Sequence, residues 1–72
     1  MIQVGLLTIE QKDSLVGQLY DDDSYFNPIQ DDFDQWVIST EEIDFCVNPE
    51  FMWVKDLPLI EYVPKPEPPL PM

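Results

Sequence analysis

The sequence lacks most of what catalysis, nucleic-acid binding and secretion draw on. Its 72 residues include no histidine, no arginine and a single cysteine, Cys46. Without histidine or arginine nothing polarises a substrate, and no serine or cysteine is set beside a base that would make it a nucleophile. A non-catalytic protein without cofactor follows as the expectation. One cysteine cannot build the disulfide framework of a small secreted domain and fits a reducing compartment. Only Lys12, Lys55 and Lys65 stand against 15 carboxylates, for a formal charge of −12. That field repels phosphates, whose binding rests on Lys and Arg, so direct nucleic-acid binding is not expected. The opening "MIQVGLL" is too short to cross a membrane and carries no basic leader, so a cytoplasmic protein is expected.

Apolar material is present in quantity: 44% of residues are hydrophobic and 12% aromatic. A disordered acidic tail lacks such residues, so the chain reads as one folded domain with a charged face. A domain this small buries only about 60% of the surface that its unfolded chain exposes. Small domains are commonly reinforced by disulfides, metals or a second chain, and the first two have few ligands here. A partner or self-association is the expected support.

Along the chain, Thr8 and Gln11 have the spacing of a capping box. Ile9, Leu15, Val16 and Leu19 then recur at helical intervals and predict an amphipathic helix over 9–20. The runs "YFNPIQ" and "QWVIS", separated by "DDFD", predict a β-hairpin, with Pro28 confining the first strand to an edge. Ser39 or Thr40 can cap a short helix "EEIDFC", stopped at Asn48 and Pro49. "FMWVKDLPLIEYV" reads as extended, interrupted by Pro58. The fold class is thus α+β, with helix 9–20 covering a short antiparallel sheet over residues 1–63. From Pro64 onward five of nine residues are proline. Residues 64–72 read as a polyproline II tail, in which Lys65, Pro68 and Pro71 have a weak version of the spacing that SH3 grooves accept.

Nine of the 15 acidic residues lie in "DDDSYFNPIQDDFDQWVISTEEIDF", residues 21–45. Calcium would draw on such oxygens, and an EF-hand register from Asp31 places Glu42 at its twelfth position. Phe33 and Trp36 then occupy positions that demand an oxygen donor and a glycine, so the register fails and no metal site is assigned. A loose divalent site at Asp21, Asp22 and Asp23 is a lesser alternative beside a merely solvated cluster. Cys46, near Asp44 and Glu50, reads as a small apolar side chain. The aromatics Tyr25, Phe26, Phe33, Trp36, Phe45, Phe51 and Trp53 read first as core, but seven are many for so small an interior. Any left exposed beside carboxylates would be anchors within a charged rim. The expected partner-binding residues are Asp31, Asp32, Phe33, Asp34, Glu41, Glu42 and Asp44.

The run "YFNPIQ...WVIS.EEI...NPEFMWVKDLPLIEY", residues 25–62, resembles short uncharacterised proteins of bacteriophage and metagenomic origin. The resemblance implies a phage setting, in a host-cell cytoplasm or a virion, where small acidic proteins occupy host or defence proteins. Two functions are then expected to compete. One is charge mimicry of nucleic acid toward a basic, nucleic-acid-binding protein, for which Asp32 and Asp34 on a strand would stand roughly 6 to 7 Å apart, near the phosphate spacing. The other is a small structural component of a virion that pairs through "FMWVKDL" as an edge strand.

Overall fold

A computed structural model describes residues 2–66. It contains one four-stranded antiparallel sheet in the order β2-β3-β1-β4, with helices, and is an α+β domain as expected. The strands are β1 Gln3–Leu7, β2 Ile29–Gln30, β3 Trp36–Ser39 and β4 Leu59–Glu61. The helices are α1 Ile9–Leu15, α2 Thr40–Asp44 and a 3₁₀ helix over Pro49–Asp56.

The expected hairpin forms, with Ile29 opposite Val37 and Gln30 opposite Trp36. Helix α2 starts on Ser39 as its N-cap. The capping box at Thr8 and Gln11 forms in both directions, with Gln11 N donating to Thr8 Oγ1 at 3.1 Å and Thr8 N to Gln11 Oε1 at 2.9 Å.

Three expectations are corrected. The first helix stops at Leu15 rather than residue 20: Val16 turns extended, with a ψ of 125°, and Gly17 follows with a left-handed φ of +78°. Of its predicted stripe only Leu15 is fully buried, while Ile9 is 67% and Val16 58% exposed. The segment "FMWVKDL" is not a strand. Asn48 caps Glu50 N at 3.1 Å and Pro49 takes the first helical position, so the pair read as a stop for α2 is the start of the next helix. The central strand is "QVGLL", to which no element had been assigned; it pairs with both β3 and β4.

The main core lies on one face of the sheet. Leu7 and Ile38 meet Leu15, Phe26, Ile43, Cys46, Phe51, Val54 and Leu57 there. Gly5 lets α2 approach, since a Cβ at that position would stand 2.7 Å from Ile43 Cδ1. Aromatic rings continue this core in a line, with centroid separations of 5.4 Å from Tyr20 to Phe26, 5.7 Å from Phe26 to Phe51 and 6.3 Å from Phe51 to Trp53. Cys46 is buried and free, as its reading as a small apolar side chain requires.

The other face has its own cover. The register places Val4, Leu6 and Val37 there, and Val4 and Val37 are buried although they lie outside the main cluster. After β4, Tyr62 N donates to Ile2 O at 2.8 Å, and Val63 O then accepts from Asp32 N at 2.8 Å on the far side of the sheet. Because β4 and β2 are opposite edges, residues 62–65 form a strap that links the two edges of the sheet.

Candidate protein-binding surface

The acidic stretch folds into three separate places. Its middle cluster is the β2–β3 turn. Asp31 N donates to Gln35 O at 3.0 Å and Asp34 N to Asp31 O at 3.2 Å, which leaves Asp32, Phe33 and Asp34 as a three-residue loop. Asp34 holds a φ of 60°, a conformation that aspartate tolerates better than most residues and that such hairpin loops require. The Asp31 side chain fixes the loop from inside, its Oδ1 accepting from Phe33 N and Gln35 N, both at 2.9 Å. Asp31 is therefore fully buried and belongs to the turn's own framework, whereas Asp32, Phe33 and Asp34 are exposed, Phe33 to 67%. Since the two outer carboxylates stand in a turn, the strand geometry expected to set phosphate-like spacing does not apply.

The third cluster sits at the opposite end of β3. Glu42 is buried, not part of a rim: it accepts from Ser39 N at 3.0 Å, from Ser39 Oγ at 2.9 Å and from Asn27 N. It closes the capping box of α2 and ties the 25–28 segment to it. Glu41 and Asp44 on α2, and Phe45 at its C-cap, are exposed. Lys55 donates to Ile43 O at 3.0 Å, supplying a cation where the C-terminal carbonyls of α2 face out. The four residues of β3 hold this cluster about 13 Å from the hairpin turn, so the seven expected partner-binding residues do not form one patch.

The first cluster lies at the α2 end of the molecule. Asp21 Oδ1 accepts from Asp23 N at 2.9 Å and Ser24 N at 2.7 Å, and Val47 N donates to Tyr20 O at 2.9 Å beside it. Asp21 thus serves its own turn. Among the described residues no three His, Cys, Asp or Glu side chains gather as a metal site would require. Nor is any described helix long and apolar enough to cross a membrane.

At the hairpin end the turn borders an apolar groove of about 490 Å³, lined by Leu6, Leu7, Ile9, Trp36 and Pro58 with Asp34 at its rim. Trp36 is partly covered by Lys12, whose Nζ lies 4.6 Å from the ring centroid and 2.6 Å from Asp13 Oδ1. Asp34 also holds Lys65, the last cation of the chain, with Nζ 2.8 Å from Oδ1. That hydrogen bond, with the charges of Asp34, Asp32 and Asp31 behind it, raises the Lys65 pKa above the ordinary lysine value. Lys65 thus pairs with the hairpin turn across an exposed ion pair. The rest of the SH3-like spacing, Pro68 and Pro71, lies outside the described residues, as does most of the predicted tail over 64–72.

The groove was not among the expected features, because two of its walls come from β1 and Pro58. The signal was present: "QVGLL" is a short apolar run rich in branched side chains, which is how a buried strand reads. No known protein family, curated protein or solved structure matches this chain.

Proposed function

We propose that the chain is a non-catalytic acidic binding protein that occupies a basic groove of a nucleic-acid-binding protein, of the host or of a defence system, by charge mimicry. The phage setting is part of this proposal and rests on the resemblance of residues 25–62. The observation that carries the reading is Phe33, exposed at the tip of the hairpin between two exposed carboxylates, Asp32 and Asp34. Aromatic side chains that become fully desolvated supply most of the energy of an interface, while charged rims set its association rate and specificity. Asp31 and Glu42 leave the proposed contact set, since both are consumed internally. Glu41 and Asp44, on the other end of β3, would meet a broad partner only as a second contact.

The experiment is capture of the partner from the native host, followed by binding measurements at two salt concentrations. Neutralising Asp32 and Asp34 to Asn should slow association and flatten its salt dependence, and Phe33→Ala should speed dissociation. A capsid or tail subunit captured with no dependence on salt or on these residues would favour the structural role instead. That role would have to use an outer edge of the sheet, β2 or β4, because "FMWVKDL" is helical and buries Phe51 and Val54.

A further inference from the structure

The inference that follows rests on the reading of the hairpin turn as the contact surface, and concerns the chemistry of what docks there. The Asp34 carboxylate does two things at once: it stands at the rim of the apolar groove, and it holds the chain's own Lys65. The pair is open to solvent, with side-chain exposures of 47% for Lys65 and 78% for Asp34. Exposed pairs of this kind are weak and exchange readily.

We propose that Lys65 is an internal stand-in for a basic side chain of the partner, and that the docking segment carries an arginine with an apolar neighbour. The arginine displaces Lys65 from Asp34, and the neighbour enters the groove beside Ile9. Charge complementarity selects a cation, since the site lies on a chain of net charge −12. Arginine is selected over lysine because its planar guanidinium offers five donors in a fixed fork. It can take both oxygens of the Asp34 carboxylate in a bidentate pair, whereas an ammonium acts as a point charge. The apolar neighbour is selected by Ile9, which is 67% exposed on the groove wall. Displacing Lys65 leaves the sheet and the Asp32–Val63 bond intact, so the exchange requires no unfolding. The strap is thus a built-in competitor that sets a threshold of affinity for any partner.

The test uses the full chain and three capped tetrapeptides, Gly-Arg-Leu-Gly, Gly-Lys-Leu-Gly and Gly-Ala-Leu-Gly, titrated by amide NMR. The arginine peptide should shift the amides of 32–36, bind more tightly than the lysine peptide, and leave the alanine peptide without effect. Lys65→Ala should tighten the arginine peptide by about two- to five-fold, the scale of one exposed pair removed. Gln18→Glu makes the same change of net charge at the other end of the domain and should not tighten it. Asp34→Asn should abolish the effect of Lys65→Ala. The proposal is overturned if Lys65→Ala binds no more tightly than Gln18→Glu, if lysine and arginine peptides bind alike, or if the shifts fall elsewhere. A captured partner that still depends on Asp32, Asp34 and Phe33 would, in those cases, leave the contact surface standing and remove only the stand-in role.

Discussion

Lys65 and Asp34 meet at 2.8 Å although one follows the last strand of the sheet and the other tips the hairpin at its opposite edge. Their contact ties the strap to the hairpin turn and places a cation on an exposed acidic loop. Because the folded-state pKa of Lys65 is raised above 10.5, the stabilisation is fully present below the ordinary lysine value and fades as pH climbs through the raised one. The Cε resonance of Lys65 should titrate at higher pH in the native chain than in Asp34→Asn. Equal midpoints would mean that the pair does not persist in solution.

Glu42 carries more of the fold than its acidic neighbours. Its carboxylate accepts from Ser39 twice and from Asn27, with the whole residue buried. Glu42→Ala removes a capping box and three charge-assisted hydrogen bonds, and should cost about 2 to 3 kcal/mol. The exposed Glu41→Ala should stay within about 0.5 kcal/mol of the native chain. Urea denaturation of the two variants checks the contrast; similar midpoints would remove Glu42 from the framework.

Gly5 marks a close approach of α2 to the sheet. An added methyl would meet Ile43 Cδ1 at 2.7 Å and Leu57 Cδ1 at 3.3 Å, both on buried side chains. Gly5→Ala should destabilise by about 1 to 2 kcal/mol, the lower range of overpacking, because the ends of Ile43 and Leu57 can shift. A stability unchanged or raised on thermal melting would show that the core has slack at this point.

The parts of this fold legible in the sequence are those fixed locally. The Thr8 and Ser39 caps and the "DDFD" hairpin depend on residues within a few positions of one another, and they form where the spacing places them. What was missed depends on contacts distant in sequence. "QVGLL" has the short apolar run of a buried strand, but its place at the centre of the sheet is set by β3 and β4 on either side. Asn48-Pro49 ends one helix and begins another, and local rules alone do not choose between the two. In the acidic stretch, composition located the exposed Asp32, Phe33 and Asp34 but could not separate them from Asp31 and Glu42. Those two are buried by hydrogen bonds that only the folded turn and the α2 cap supply.

Phe33 and the carboxylates beside it should act on different steps of binding. Phe33→Ala should raise the dissociation rate of the captured partner about tenfold or more, as the loss of a desolvated aromatic anchor does, with association little changed. Stability should not move, since Phe33 contributes nothing to the core cluster. A variant that binds as the native chain does would assign the anchor to another exposed aromatic, Tyr25 or Phe45.

The central claim is that the hairpin turn, rather than diffuse negative charge, engages a basic partner. The most direct measurement compares Asp32→Asn/Asp34→Asn with Asp22→Asn/Asp23→Asn, two variants of equal net charge, for retention of the partner captured from the native host as salt is raised. The account predicts that the turn variant loses the partner at low salt while the other retains it as the native chain does. Equal retention by both, or loss in proportion to net charge alone, would contradict it.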